Sequence, residues 1–288
     1  IQNSNITNNW GDGIYFWNST DSVIENIYSF DNLWHIEIDE LSDNITIQHS
    51  TFNGNGDDQD AIDIWCSNNL VYNNTIYGFT VTGIYIDGIY VGEVTGNNIS
   101  SNNISNNVVP MNGISEGAIE ISHASSNIIE NNIMMDNDGS GLLPFLGAVN
   151  NTFRNNTIIN TQYWPGISLE TNCSDNLFIN NYVENATEGA YFNESSYNKF
   201  IGNRFINSQY EGIYAEEYSV GNEFIDSEIS GSGSFDIAVY TDSDVTLLNT
   251  TFDSQNTDIG DVDDASVLYI KWYLDVYVND TASVPVEN

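Results

Sequence analysis

The chain has 288 residues, room for one or two domains, and sets 41 acidic residues against four basic ones for a formal net charge of −37. A surface with almost no cations repels nucleic acid and anionic lipid headgroups, and it favours cationic partners or divalent metal ions. The best apolar run, residues 142–149, is too short to cross a bilayer and contains Pro144, while a total of two cysteines, Cys66 and Cys173, excludes a disulfide-rich scaffold.

The chain starts at Ile1 without a charged segment leading into an apolar one, so it reads as a mature product or a fragment. From there one short pattern recurs: apolar, any, any, Asn/Ser/Thr, any, apolar. Phe153, Asn156 and Ile158 fit it, as do Phe200, Asn203 and Phe205. Its polar member falls at Ser4, Asn26, Ser50, Asn74, Asn97, Asn132, Asn156, Asn181, Asn203, Ser227 and Thr250, and nine of the ten steps span 22 to 25 residues. An apolar column two residues on reads Ile6, Tyr28, Phe52, Ile76, Ile99, Met134, Ile158, Val183, Phe205, Ile229 and Phe252. A third column holds Ile14, Ile36, Ile62, Ile84, Ile119, Ile167, Ala190, Ile213 and Ile237. Around it apolar and polar residues alternate, as in Ile62-Asp63-Ile64, which is a strand signal, and Gly, Asn, Asp and Ser punctuate the gaps.

Strands this short could build a sandwich or a coil. A sandwich has no reason to put Asn at one point of every repeat, whereas parallel rungs about 4.8 Å apart let identical amides bond up and down a stack. The spacing therefore predicts an all-β, single-stranded parallel β-helix of about eleven coils over residues 1–266, a rod on the order of 50 Å long. The single step of 35 residues predicts an outward loop at 100–116. Residues 267–278 form a long strand-like run, so 267–288 reads as a β-strand extension or the start of a truncated β-sandwich module. On this repeat the chain resembles the right-handed parallel β-helix proteins, most closely the archaeal cell-surface ones whose coils share the Asn-rich pattern. The resemblance implies a right-handed coil and leaves function open, since such coils carry lyases, hydrolases, epimerases and plain rods.

Four groups of residues could carry function. Asn-X-Ser/Thr acceptor sites occur at Asn5, Asn18, Asn44, Asn73, Asn98, Asn103, Asn150, Asn155, Asn172, Asn185, Asn193, Asn249 and Asn279, although an Asn-rich chain makes such triplets by accident. Glu37, Asp63, Tyr85 and Glu120 align on the outer side of four successive rungs, with Asp39, Trp65, Asp87 and Ser122 two residues on and His123 just after. Carboxylates one rung apart lie near the spacing of a retaining glycosidase, so Glu37, Asp63, Glu120 and His123 are the catalytic candidates. The Gly-Asp-Asp run at 56–58 and His123 resemble polygalacturonase-type hydrolases, but the basic substrate-binding motif that this resemblance implies is missing, as is the Lys or Arg base of a pectate lyase. The bland alternative is a solvated acidic face, or a calcium site at Asp57, Asp58, Asp60 and Asp63. Tyr15, Trp65 and Tyr85 share the strip and suit sugar stacking as well as rung support.

The repeat, the acceptor sites and the incomplete catalytic set point first to a non-enzymatic, N-glycosylated extracellular solenoid. It would work in surface attachment or filament formation, partnered by other copies of itself, other surface proteins and covalent glycans. The alternative is a polysaccharide hydrolase or lyase, or a carbohydrate-binding module, using the acidic face.

Overall fold

The computed structural model describes residues 1–56, 59–89, 92–108, 116–260 and 264–274. Its strands pair in parallel into a right-handed solenoid of about eleven coils, the hand that right-twisted strands impose on parallel crossovers. Among the described residues no helix is long and apolar enough to cross a membrane.

Each coil has three faces. The first is an eleven-stranded sheet from Val23–Glu25 to Val267–Lys271. The second and third join into one nineteen-stranded sheet because the long strands Asn5–Phe16 and Tyr28–Ile38 run through both. In later coils the two faces are separate short strands, such as Thr157–Ile159 and Ile167–Glu170.

The corner after face one explains the asparagines. One residue there turns left-handed, as at His49 (φ 53°), Asn73 (φ 52°), Asn155 (φ 54°) and Asn180 (φ 52°). That conformation costs most L-residues roughly 1–2 kcal/mol, and Asn tolerates it best after Gly. The next residue points inward and builds the ladder. Asn132 Nδ2 donates to Asn156 Oδ1 at 3.1 Å and to the Ile99 carbonyl at 2.8 Å, while its backbone N–H donates to the same Asn156 oxygen at 3.0 Å. The pattern repeats from Asn156 to Asn181 and from Asn181 to Asn203. Buried amides are thus satisfied coil by coil.

A second ladder, Asn69, Asn97, Asn127, Asn151, Asn176, Asn198 and Asn222, leads into face one. Its presence corrects the sequence register at one coil. Asn97 and Ile99 do not stand between Asn74 and Asn132: Asn102 accepts from Asn74 and donates to Asn132, and Ile104 pairs with Met134. The slip arose because Asn-Asn-Ile-Ser occurs at both 97–100 and 102–105, one copy for each ladder. The apparent steps of 23 and 35 residues become steps of 28 and 30, and strand Asn103–Ser105 lies inside the segment expected to loop outward. At the first corner, Ile27 rather than Asn26 faces Ser50, and Ser29 rather than Tyr28 pairs with Phe52.

Inside, Phe153, Phe178, Phe200 and Phe224 stack at centroid spacings of 4.5, 4.3 and 4.5 Å. Cys66 and Cys173 are free and buried four coils apart, a strand separation of about 19 Å. Val267–Lys271 pairs in register with Asp244–Leu248, so the solenoid continues through the start of the terminal run. Residues 275–288 lie outside the described residues.

Candidate active site

Alternation on face three puts Ile62 and Ile64 in the core at 0 % exposure and turns Asp63 to the other side. Pairing then aligns Tyr15, Glu37, Asp63, Tyr85 and Glu120 rung over rung, as the sequence columns predict. Yet Asp63 and Glu120 are each only 6 % exposed, so this is no solvated acidic face.

Residues just before the strands account for the difference. Asp60 accepts from the Thr82 backbone N–H at 2.9 Å, and the Thr82 hydroxyl lies 3.2 Å from Glu116 Oε2 and 3.3 Å from Glu120 Oε2. That hydroxyl has one proton, which can serve one of the two carboxyls; the other bonds to it only if it donates a proton of its own. Burial pushes the acidities the same way. It raises Asp60 to about 6 and Glu116 to about 7, and holds Asp63 and Glu120 well above the carboxylate range, with neighbouring acids adding to the shift of Glu116, Asp63 and Glu120. Glu37 and Asp87 are raised by burial as well.

Opposing donors are few. Trp65 Nε1 donates to Asp63 Oδ1 at 2.7 Å, and the Ile89 N–H donates to Asp87 Oδ1 at 2.8 Å. His123 is exposed, lies 2.9 Å through Nδ1 from the Ser122 hydroxyl, and partly offsets electrostatically the burial that raises Asp87. It lines a groove of about 510 Å³ with Gly88, Ile89, Glu93 and Ser125. Tyr15 is 45 % exposed and tilts against Trp17 at 6.2 Å, while Trp65 and Tyr85 are half-buried in the same strip. The four basic residues lie elsewhere: Arg154, Lys199 and Lys271 on face one and Arg204 on face two, with Arg154, Lys199 and Arg204 bridged to Glu130, Glu223 and Glu228.

Sequence reasoning found Glu37, Asp63, Tyr85 and Glu120 but gave no role to Thr82 or Glu116. The signal was available, since Asp60 and Thr82 each stand three residues before an outward strand residue. Of the expected calcium ligands, Asp57 and Asp58 lie outside the described residues, and one oxygen each of Asp60 and Asp63 already accepts from Thr82 and Trp65. Among the described residues no three acidic, His or Cys side chains are grouped to hold a metal ion.

None of the described acceptor asparagines is buried, and Asn279 lies outside the described residues. Asn18, Asn44, Asn73, Asn150, Asn155, Asn172, Asn185 and Asn249 occupy left-handed turns with φ between 47° and 62°. In Asn73-Asn74-Thr75 the corner residue, the ladder residue and the β-branched strand start themselves spell an acceptor triplet, with or without a sugar.

The chain matches the family model of the right handed beta helix region over residues 1–158, 66–205 and 165–284. No curated protein sequence matches it. Among solved structures it is similar to the catalytic unit of a thermostable GH87 alpha-1,3-glucanase from Streptomyces thermodiastaticus, with a TM-score of 0.65 at 11 % identity over 89 % of this chain and 50 % of that one. A double mutant of the periplasmic alginate epimerase AlgG gives 0.56 at 13 % identity, covering 89 % and 70 %. Tailspike protein 2 of an Escherichia coli bacteriophage gives 0.53 at 14 % identity, covering 88 % and 37 %. The chain thus spans half the length of the glucanase unit, and likenesses this remote concern the fold.

Proposed function

Since the chain belongs to the right-handed β-helix family, we propose that it binds and hydrolyses a neutral polysaccharide on its third face. The observation that carries this reading is the cluster of burial-raised carboxyls, Asp60, Glu116 and Glu120, gathered around Thr82 beside aromatic rings on one continuous parallel face. Such carboxyls can give up a proton at neutral pH, which an ordinary exposed acid cannot. Glu120 serves as the acid: its proton passes to the glycosidic oxygen as the bond from that oxygen to the sugar carbon breaks. Asp63, whose charged form the Trp65 N–H favours against burial, acts when ionised and takes a proton from the water that attacks that carbon. One water is consumed and the acids exchange protons with solvent afterwards.

Asp63 and Glu120 sit two rungs apart with Tyr85 between, a strand spacing of about 9.6 Å, which leaves room for a water and suits inversion better than retention. The likeness to a glucanase, an epimerase and a tailspike favours work on polysaccharide over a bare rod. Charge narrows the class, because a face with no cation repels polyuronates and offers no base of lyase type. Glu120→Gln and Asp63→Asn should each lower kcat on a neutral glucan about 10²–10⁴-fold with little change in KM. Unchanged turnover in both variants would refute the assignment.

The second reading, a glycosylated extracellular scaffold, is favoured by the outward-facing acceptor asparagines. Intact-mass measurement of native material tests it, and a mass equal to the bare chain removes it.

A further inference from the structure

The outward strip continues past the acidic cluster. Beyond Glu120 the column passes Leu143 and Ser168, both buried, and surfaces again at Tyr191 and Tyr214, and the turn position that holds Asp60 in one coil holds Pro165, Glu188 and Glu211 farther along. Four rungs from Tyr85, about 19 Å, the strip opens into a second groove of about 290 Å³, lined by Tyr163, Trp164, Pro165, Glu188, Tyr191 and Tyr214.

Its rings are held in place. Both phenols donate to one carboxylate: Tyr191 to Glu216 Oε1 at 2.6 Å and Tyr214 to Glu216 Oε2 at 2.7 Å. The two rings tilt at 40° with centroids 5.5 Å apart, and Tyr240 abuts Tyr214 edge-on at 5.7 Å. Across the groove the Thr161 hydroxyl donates to the Trp164 carbonyl at 2.8 Å, and the Tyr163 N–H donates to the Asp138 carbonyl. Burial raises the Glu188 carboxyl, which borders the rings as a hydrogen-bonding edge. Pre-fixed rings with a carboxyl rim suit the apolar faces and hydroxyl edges of uncharged pyranoses, and a groove without a cation disfavours anionic chains.

We propose that this tyrosine-lined groove is a distal subsite for the same neutral polysaccharide, so that one chain lies along the solenoid axis from Asp63 to Tyr214. This deepens the hydrolytic reading and rests on its substrate class.

The test is calorimetric titration in the Glu120→Gln background with a panel of α- and β-linked neutral glucan trisaccharides and decasaccharides. A decasaccharide spans both sites and a trisaccharide does not. Combined Tyr191→Ala and Tyr214→Ala should weaken decasaccharide binding about tenfold, to the level of the trisaccharide. Tyr191→Phe and Tyr214→Phe should retain most of the affinity, because the rings remain. Full decasaccharide affinity in a normally melting alanine double variant overturns the subsite, as does a parent that binds no glucan at either length. Tyrosine-dependent binding without cleavage by the wild type would instead sink hydrolysis and leave the subsite standing.

Discussion

Thr82 offers one hydroxyl proton to Glu116 and Glu120, and that shortage sets the response of the molecule to pH. Asp60, Asp63, Glu116 and Glu120 are all raised in the fold, Asp60 to about 6 and Glu116 to about 7, so the folded chain keeps protons that the unfolded chain releases. Their contribution is complete below the ordinary carboxylate range and is lost as pH rises through about 6 to 7 and beyond. His35 acts in the opposite sense: buried against Phe79 and lowered to about 4, it removes stability as pH falls below its ordinary 6.5. Four carboxyls outweigh one imidazole, so the melting temperature should be higher near about pH 5 than near about pH 8. Glu116→Gln should flatten the alkaline decline, and a melting temperature that climbs toward about pH 8 would count against this arrangement of charge. The column from Tyr15 to Glu120 was legible because alternation and a constant repeat fix which side chains stack. Thr82 and Glu116 were passed over, since their turn position repeats in place but not in residue type, holding Asp60 in one coil and Pro165 in another.

At the scale of the coil, adjacent asparagines have different duties. Asn156 is buried and ties three coils together, whereas its neighbour Asn155 is exposed and supplies only a left-handed turn. Asn156→Ala strands the Asn132 backbone N–H and the Ile129 carbonyl and should cost about 2–3 kcal/mol. Asn155→Gly, at φ 54°, should change stability by under about 1 kcal/mol. Urea midpoints for the pair check this, and equal losses would mean that the ladder contributes no more than the corner. The same duality explains why the sequence register slipped at Asn97. Both ladders use an Asn two residues before an apolar core position, so only the pairing of Ile104 with Met134 tells them apart. Acceptor triplets share this origin: the corner selects Asn, the strand start selects Thr, and the triplet follows from both.

For the whole molecule, a net charge of −37 on a rod is the dominant long-range term. Self-repulsion opposes the compact state and is screened by ions, so the melting temperature should rise steadily as salt increases from about 0.01 M to about 1 M. A flat response would show that the acids are already neutralised, by protons or by calcium near Asp57 to Asp63. The parallel coil and its length could be read from the repeat alone, because stacking forces every turn to obey one period. Function was less legible. The sequence put a scaffold ahead of an enzyme because the repeat and acceptor sites were plain and the catalytic set incomplete, while burial, which decides the chemistry of the carboxyls, depends on how neighbouring coils cover them. The direct test is carbon-13 NMR titration of the Asp and Glu carboxyls in the intact chain. Glu116 should titrate near about 7, with Asp63 and Glu120 both above the ordinary carboxylate range, whereas all three titrating near about 4 would contradict the proton-holding face on which the proposed activity stands.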